Sequence, residues 1–291
     1  MALSRAKRFG AKMKREPETF KMVQTAIKEN QEEGFSRQLS PEELMPREGI
    51  PQWFLPWHSV RDPNKPEKVK VTFDAKATIK EQSLNDHLLT GPDLANSLLG
   101  VLLRFRMERI TIQGDIKGMF NAVKVSPEDA NAFCFYYWKD HDLNKPLILH
   151  QMCTQVFGAA SSSGTSNFAL KQTAKDNAEH FSPECVKTVK RDFYVDDLLK
   201  SVPDSKTAVN LLKELCSILE RGGFYLHKII TNCPYLRAVA SSMERVKKTV
   251  SPDSNTTIER ALGVKWNSET DQFVFMLAHL MDIECPETRR K

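Results

Sequence analysis

Apolar and polar residues follow two different periods along the N-terminal part of the chain. Phe20, Val23 and Ile27 recur at the spacing of one helical face, which predicts a helix within the first thirty-odd residues. The proline-containing residues 40–66 predict a loop. Residues 68–73 then alternate between charged and apolar side chains, and this two-residue period predicts a strand.

The central part of the chain continues with one helix and three strands. Residues 92–106 predict a helix, because a proline suits its first turn. Five leucines are expected on one side of it: Leu94, Leu98, Leu99, Leu102 and Leu103. Aromatic and aliphatic residues predict strands over 109–116, 131–138 and 146–152.

The C-terminal half again alternates between helices and strands. The small residues of 158–164 predict a loop that leads into a helix ending near residue 178. A predicted helix over 205–221 is stopped by two glycines and followed by a strand over 224–230. Segments 262–266 and 272–276 predict a hairpin. Because strands and helices interleave without a regular βαβ rhythm, we expect an α+β fold rather than a doubly wound sheet.

Composition is that of an ordinary globular protein, with 41% hydrophobic and 27% charged residues among 291. The N-terminus lacks the apolar core of a signal peptide, and no apolar stretch is long enough to span a bilayer. We therefore expect an intracellular protein, cytoplasmic or nuclear, that is not secreted and has no membrane partner. The six cysteines form no C-x-x-C pair, so neither a zinc ribbon nor a disulfide scaffold is predicted.

The net charge of +5 is concentrated at the N-terminus. Residues 1–21 contain seven basic and two acidic side chains, and the difference equals the net charge of the whole chain. Such a segment can engage phosphate groups, and it can equally be the solvated face of a helix. The charge alone does not predict a nucleic-acid partner.

Two acidic motifs carry the candidate chemistry. Asp196 and Asp197 lie between strand-forming residues, and an Asp-Asp pair at a hairpin tip is often only turn chemistry. Asp115 changes this interpretation, because it stands at the end of the strand predicted over 109–116. Phosphoryl transfer by two metal ions needs carboxylates that converge from at least two elements, since Mg²⁺ takes hard oxygen ligands. The three aspartates together therefore predict a two-metal site.

These motifs resemble those of reverse transcriptases. Residues 115–120 are similar to the first catalytic motif, and residues 194–197 to the Y-x-D-D box. Further segments resemble other family motifs in the same order, namely the fingers (68–74 and 83–86), the motif at the nascent base pair (156–162), the fourth palm motif (222–228) and the primer grip (262–266). The residues at five positions are most similar to those of the BEL/Pao class of long-terminal-repeat retrotransposons, namely 64–66, 84–86, 91–94, 101–106 and 123–130. The resemblance covers about residues 2–276.

For the fold, the resemblance implies the fingers and palm of a right-hand polymerase. The palm is expected to be an antiparallel sheet backed by helices, and the thumb is expected to be missing or incomplete. Four segments follow from this interpretation: a basic helical N-terminal segment (1–39), a connector containing proline and tryptophan (40–60), the fingers and palm domain (61–276) and a C-terminal tail (277–291).

For the metal site, the resemblance implies that Asp115, Asp196 and Asp197 are the catalytic residues. Asp115 and Asp196 are the expected main ligands of Mg²⁺, with Mn²⁺ as an alternative. Asp197 is expected as a weaker or supporting carboxylate, and the backbone carbonyl of Ile116 as a further ligand.

For the nucleotide, the resemblance implies that Phe120 lies under the incoming sugar and excludes a 2′-hydroxyl, since a rigid ring leaves no room for one more oxygen. The alternative for Phe120 is a core aromatic residue. Lys68 or Lys70 is expected to contact the triphosphate, and the two are not distinguished. Solvated lysines on an edge strand are the alternative. Lys228 is expected to act as general acid for pyrophosphate or to contact the template.

The remaining implied site residues lie in two motifs. Phe157 and Gly158 belong to the segment at the nascent base pair, and Leu262, Gly263 and Trp266 belong to the primer grip. The implied function is RNA- or DNA-templated DNA synthesis on a primer, with dNTPs as substrates. A catalytically inactive retroelement remnant that only binds nucleic acid is the alternative. Further domains of a retroelement polyprotein are expected, and their motifs are absent from these 291 residues.

Overall fold

The computed structural model describes residues 1–44, 52–62, 65–246, 258–261 and 264–274. By their internal contacts the residues fall into two units. Unit 1 comprises Met1–Ala95 and Gly118–Gln172, and unit 2 comprises Asn96–Lys117 and Thr173–Lys291. Within the described ranges, no helix is long and apolar enough to cross a membrane.

Seven α-helices and twelve strands occur in this described part of the chain. In chain order they are α1 (Ala2–Met13), α2 (Pro17–Glu32), β1 (Ser36–Gln38), β2 (Trp57–Asp62), β3 (Lys65–Phe73), α3 (Leu98–Phe105), β4 (Ile110–Ile116), β5 (Cys134–Trp138), β6 (Leu147–Met152), α4 (Ser162–Asp176), α5 (Pro183–Arg191), β7 (Phe193–Tyr194), β8 (Asp197–Val202), α6 (Ser205–Arg221), β9 (Leu226–Thr231), α7 (Pro234–Val246), β10 (Ile258–Ala261), β11 (Val264–Asn267) and β12 (Gln272–Val274).

Unit 1 combines a three-stranded antiparallel sheet, in the order β1-β6-β5, with the antiparallel hairpin β2–β3. Helix α2 buries Phe20, Val23 and Ile27, the three residues whose spacing predicts it. These side chains share one core cluster with Phe73 and Trp138 of the strands. The removal of this apolar surface from water holds α2 on the strands.

Unit 2 is built on a four-stranded antiparallel sheet in the order β7-β8-β4-β9. Helix α6 packs against three of these strands and buries the apolar face that its sequence presents. A second antiparallel sheet, β10-β11-β12, carries Trp266, which packs with Phe105 and Leu199. Antiparallel sheets backed by helices confirm the predicted α+β class.

The helix predicted over residues 92–106 is shorter in the structure, so the prediction is wrong in its first half. Helix α3 begins only after Ser97, whose hydroxyl caps it by accepting a hydrogen bond from the Gly100 amide. Before this point, the carboxylate of Asp93 accepts from the Ala95 amide, and the carbonyl of Leu94 accepts from Lys171. These local and tertiary hydrogen bonds replace the helical ones.

The leucines expected on one side of this helix do not form its fully buried side. Leu99 and Leu103 are 66% and 61% exposed, whereas Val101 and Phe105 are fully buried. The leucine spacing suits either face of a helix so rich in apolar residues, and only tertiary packing decides between them. Here the deciding partners are Leu199 and Trp266, which lie in the same cluster as Val101 and Phe105.

Other boundaries differ because capping and edge pairing are decided outside the hydrophobic pattern. Strand β2 occupies part of the predicted loop 40–66. In the part of the chain that the structure describes it pairs with β3 alone, and such an edge position tolerates the neighbouring prolines. The strand predicted over 131–138 begins at Cys134, after a short 3₁₀ turn. Helices α5 and α7 are not predicted by the pattern. Helix α4 already begins at Ser162, inside the predicted small-residue loop.

Candidate active site

Strands β4 and β8 bring two of the predicted catalytic aspartates face to face. Asp115 is directly opposite Asp197 in the antiparallel register. The backbone amide of Ile116 donates to the carbonyl of Asp196 at 2.9 Å, which ties the neighbouring aspartate to the end of β4. Asp115, Ile116, Asp196 and Asp197 therefore occupy one end of the unit 2 sheet.

A tight turn between β7 and β8 presents Asp196 and Asp197. Tyr194 pairs with Asp197 across a connection of only two residues, Val195 and Asp196. Val195 adopts a φ of +57°, in the left-handed region that β-branched residues rarely enter. Such a conformation costs on the order of 1–3 kcal/mol and occurs where the surrounding structure enforces it, often at functional sites.

The carboxylates share more negative charge than their surroundings neutralise. Burial, followed by repulsion from Asp196 and Asp115, raises the pKa of Asp197 to about 7. For Asp115, burial also works to raise the pKa, but hydrogen bonds from His227 and Lys228 outweigh it, so that the pKa is lowered. Asp115 is therefore an ionised carboxylate with two basic partners, and Asp197 is an electrostatically frustrated one.

Both partners of Asp115 come from strand β9. The Nε2 atom of His227 lies 3.3 Å from Oδ2 of Asp115, and the ammonium of Lys228 is hydrogen bonded to the same oxygen. His227 is opposite Asp115 in the β4–β9 register, next to an irregularity in the pairing. Lys228 itself has a φ of +51°. This local distortion allows two consecutive residues to reach one carboxylate.

The donor set has the chemistry that a hard cation requires. Three aspartates contribute only carboxylate oxygens, the ligands that Mg²⁺ prefers, and the raised pKa of Asp197 reflects a charge that a cation would neutralise. As they stand, no three acidic, histidine or cysteine side chains of the described ranges form a ready-made metal cluster. The ammonium of Lys228 serves as the counter-charge of Asp115 instead. The carboxylates fit a divalent cation that would keep several waters.

The segment predicted to lie at the nascent base pair is held rigidly in unit 1. Gly158 has a φ of +104°, and a Cβ atom there would lie 2.4 Å from the carbonyl oxygen of Phe73. The amide group of Asn85 donates to the carbonyl of Gly158 at 3.0 Å and accepts from the backbone amide of Ala160 at 2.8 Å. One side chain thus fixes both sides of the loop, and only glycine fits its centre.

The predicted nucleotide-binding aromatics also meet in unit 1. The rings of Phe120 and Phe157 have centroids 4.6 Å apart and are inclined by 59°. Phe157 is 45% exposed, and Phe120 is partly exposed. Phe120 is therefore not a fully buried core residue. Lys68 and Lys70 are both exposed on β3, and the structure does not distinguish between them.

Of the predicted primer grip, only Trp266 lies within the described residues, while Leu262 and Gly263 lie outside them. The indole of Trp266 is fully buried, packs edge-on against Phe105 and donates to Asp271 at 3.0 Å. Asp271 also forms a 2.5 Å ion pair with Arg106. The side chain of Trp266 is therefore part of the core of unit 2 and anchors the hairpin β11–β12.

No family model and no curated protein sequence matches the chain. Among solved structures, the chain is similar to the foamy viral protease-reverse transcriptase dRH in complex with double-stranded DNA, with a TM-score of 0.57 and 15% identity over 91% of this chain and 37% of that one. It is also similar to the foamy viral protease-reverse transcriptase in complex with an RNA/DNA hybrid, with a TM-score of 0.57 and 13% identity over 91% of this chain and 28% of that one. The chain has a reverse-transcriptase-like fold.

This likeness concerns architecture alone, because the identities are low. The chain spans about a third of the length of the foamy viral proteins that it matches. What this fold does in the present chain rests on the side chains described above.

Two residues of the site are not predicted from the sequence. His227 adjoins Lys228 in the sequence, and only the β4–β9 register places it on Asp115. Asn85 belongs to a fingers motif, but its two hydrogen bonds to the Gly158 loop join residues more than 70 positions apart. In the sequence, the position of His227 next to Lys228 is the signal that could have indicated a role for His227. For Asn85 the signal is the resemblance of 83–86 to a fingers segment.

Proposed function

We propose that the chain is the catalytic core of a reverse transcriptase from a retrotransposon of the BEL/Pao class. The reaction is the template-directed addition of a dNTP to the 3′-hydroxyl of a primer. The observation that carries the proposal is the pairing of Asp115 with Asp197 at one end of an antiparallel sheet, with Asp196 tied to the same strand end. The reverse-transcriptase-like fold supports it.

The carboxylates are the proposed holders of two divalent cations, Mg²⁺ or Mn²⁺. Asp115 and Asp196 are the main ligands in this proposal, while Asp197 and the carbonyl of Ile116 support them. When bound, the cations activate the attacking hydroxyl and stabilise the leaving pyrophosphate. The frustrated charge of Asp197 supports this assignment, because a carboxylate with a pKa of about 7 gains most from a neighbouring cation.

In the proposed reaction, the 3′-oxygen of the primer forms a bond to the α-phosphorus of the dNTP. The bond between this phosphorus and the bridging oxygen breaks, and pyrophosphate leaves with the electron pair. The hydroxyl proton passes to solvent. Lys228 donates a proton or a hydrogen bond to the pyrophosphate, and its present hydrogen bond to Asp115 places its ammonium beside the carboxylates.

The residues of unit 1 are proposed to select and hold the nucleotide. Phe120 and Phe157 form a partly exposed aromatic pair that suits contact with a sugar or base. The rigid loop at Gly158 suits close approach of the backbone to a base pair, since no side chain intervenes. Lys68 or Lys70, both exposed, supplies the charge for the triphosphate.

The assignment to the BEL/Pao class rests on the amino-acid sequence of the motifs. The segments at 84–86, 91–94 and 123–130 resemble that class in particular. The foamy viral neighbours support only the broader reverse transcriptase fold.

The test is a primer-extension assay with purified protein on RNA and on DNA templates. We expect incorporation of the complementary dNTP with Mg²⁺ or Mn²⁺, none with EDTA, and loss of incorporation in Asp196→Asn. A protein that binds primer–template but never extends it would contradict the proposal and favour the inactive nucleic-acid-binding remnant.

A further inference from the structure

Helix α1 carries a row of positive charges that the proposed catalytic function does not use. It contains Arg5, Lys7, Arg8 and Lys12 and no acidic residue. Lys14 and Arg15 follow immediately after its last turn. This short segment therefore holds six of the seven basic residues that account for the net charge of the chain.

The helix is a fixed part of unit 1 and not a free arm. Its buried side consists of Ala2, Ala6, Gly10 and Met13. A Cβ atom on Gly10 would lie 2.5 Å from the ring of Trp138, so the glycine permits the helix to lie directly on the indole. Because one side is buried in this way, the charges of the other side are held in a defined place on the surface.

Two of the six cations have acidic partners, and four do not. Arg5 forms an ion pair with Asp74 at 2.6 Å, and Lys12 is 3.8 Å from Glu16. Within the described residues, no acidic partner occurs for the other four, which are all exposed: Lys7, Arg8, Lys14 and Arg15. Uncompensated charge of one sign destabilises a compact protein through self-repulsion, and a polyanionic ligand would remove this cost.

The neighbouring helix shows the ordinary arrangement. On α2, Lys21 is 3.0 Å from Glu18, and Lys28 is 3.7 Å from Glu32. These lysines are as exposed as those of α1, with 69% and 66% of the side chain accessible, but they are locally compensated. The difference between the two helices separates a charged surface from a merely solvated one.

The burial of the apolar side decides between two kinds of polyanion. A basic amphipathic helix binds an anionic membrane by inserting its apolar face between the lipids. In α1 that face lies against Trp138, and Phe9 beside it packs on Trp57 with ring centroids 4.8 Å apart. Of the large apolar residues of α1, Leu3 alone is exposed, at 38%, and the rest of the accessible surface is mostly charged. Such a surface suits a phosphodiester backbone, which is bound through charge without insertion.

The helix is also tied to the segment proposed to hold the nascent base pair. Asp74, the partner of Arg5, directly follows Phe73, whose carbonyl lies against Gly158. The basic side of α1 and this loop therefore belong to one rigid part of unit 1.

We propose that the exposed basic residues of α1 and of the turn that follows it, Lys7, Arg8, Lys14 and Arg15, form a binding surface for the phosphate backbone of nucleic acid. Lys7 and Lys14 are seven residues apart, as are Arg8 and Arg15. The surface binds without regard to sequence, because phosphate contacts position a protein and carry no base information. The proposal rests on the proposed function only in that nucleic acid is its ligand.

The test measures the affinity for a fluorescent primer–template with a single-stranded template extension, in EDTA and at several salt concentrations. The variant Lys7→Gln with Lys14→Gln is compared with Lys21→Gln with Lys28→Gln, which removes the same charge from α2. We expect the α1 variant to lower the slope of log affinity against log salt by about 1.4 to 1.8, since each of the two lost phosphate contacts contributes about 0.7 to 0.9. The α2 control should leave the slope within about 0.5 of the wild type by the same measure.

A further variant with all four cations replaced by Gln should lower the slope by about 3. Equal slopes for the α1 and α2 variants, or unchanged binding in the fourfold variant, would overturn the proposal. So would binding of the wild type to phosphatidylserine vesicles in place of the primer–template. This assay measures binding and not turnover, so its result is independent of the primer-extension assay. A lower slope in the α1 variant of a protein that incorporates no nucleotide supports this surface and counts against the proposed catalysis. Incorporation by the wild type with an unchanged slope in the α1 variant supports the catalysis and counts against this surface.

Discussion

Asp197 is the residue at which the electrostatics of the candidate site are least balanced. It lies opposite Asp115 and next to Asp196, in a partly buried position where water screens the repulsion poorly. A folded protein pays for such an arrangement in stability, and active sites are the usual place for it. The cost has a definite pH dependence.

Replacement of Asp197 by Asn should stabilise the protein at alkaline pH in the absence of divalent cations. The pKa of Asp197 is raised from 3.8 to about 7, so the folded state binds a proton that the unfolded state has already lost. The free energy of unfolding therefore falls as the pH rises from about 4 to about 7, and the penalty is complete above that range. Allowing for solvent screening, we expect Asp197→Asn to gain about 1–2 kcal/mol at pH 8.

Urea unfolding in EDTA at pH 8 and at pH 4 checks this prediction. The gain should be small at pH 4, where the wild-type carboxyl is protonated in the folded state and about 40% protonated in the unfolded state. Saturating Mg²⁺ should favour the wild type, because only the carboxylate gains from the cation. A stability difference that is the same at both pH values would contradict the electrostatic account of this residue.

Gly158 lies at the centre of the loop at the proposed nucleotide site, where there is no room for a side chain. Gly158→Ala adds a methyl group against the Phe73 carbonyl and also meets an unfavourable φ of +104°. We expect a loss of about 2–3 kcal/mol in the free energy of unfolding, together with weaker dNTP binding.

Gly34→Ala is the matched control for this change. Gly34 has a φ of +72°, but no atom lies within 4 Å of the position that an added methyl group would take, so the variant should cost only about 1 kcal/mol for backbone strain. Equal losses in the two variants, measured by urea unfolding, would show that the contact with Phe73 contributes nothing.

At the scale of the element, a network of ion pairs lies beside the hairpin β7–β8, whose turn carries Asp196 and Asp197. Asp192, which precedes β7, has a side chain that is only 2% exposed and lies 2.6 Å from Arg104 and 3.2 Å from Lys200. Lys200 of β8 also pairs with Glu184 at 2.6 Å. The backbone carbonyl of Asp192 accepts from Leu199, which closes the base of the hairpin.

Removal of the Asp192 charge should therefore loosen the turn that carries Asp196 and Asp197. Asp192→Asn leaves Arg104 and Lys200 with one anion fewer, and breaking a buried ion pair in this way costs about 3 kcal/mol. We expect a lower free energy of unfolding and a higher Mg²⁺ requirement for incorporation. The control is Asp140→Asn, which removes an exposed pair with Lys145 at 2.7 Å and should leave both quantities unchanged. A harmless Asp192→Asn would show that the network does not hold the turn.

The elements divide clearly into those that the sequence predicts and those that it does not. Strand β4 and helix α6 follow from long, strongly periodic segments, and their observed bounds lie close to the predicted ones. The buried side of α3 does not follow, because apolar residues occur around much of the helix and Trp266 selects the side from far along the chain. Local pattern predicts elements well, and long-range packing decides which face is buried.

The same division applies to the candidate site. The three aspartates are predicted because two strand-forming segments end in carboxylates that the chemistry of metal binding requires. His227 and Asn85 are not predicted, because each acts through the register or hydrogen bonding of a distant segment. The assignments of the individual residues stay predictions until they are tested by substitution.

At the scale of the whole molecule, charge and chemistry are separated along the chain. The carboxylates lie in unit 2, while the excess positive charge lies at the start of unit 1. A polymerase needs both properties, since it must hold a polyanion and also bind the cations that neutralise the reacting phosphates. The division of the sequence into the four segments 1–39, 40–60, 61–276 and 277–291 stays a prediction.

The central claim is that Asp115, Asp196 and Asp197 perform metal-dependent nucleotidyl transfer. Its most direct measurement is the rate of single-nucleotide incorporation into a primer–template, with enzyme in excess. We expect the wild type to add only the complementary dNTP and to require Mg²⁺ or Mn²⁺. Asp115→Asn and Asp196→Asn should slow the step about 10³-fold or more, which corresponds to about 4 kcal/mol of lost transition-state stabilisation.

Asp142→Asn serves as the control, because the side chain of Asp142 accepts a hydrogen bond from the Asn144 amide, which an asparagine side chain also accepts. It should retain the wild-type rate. Incorporation at an undiminished rate in Asp115→Asn and Asp196→Asn, or none in a wild-type protein that binds the primer–template, would contradict the account.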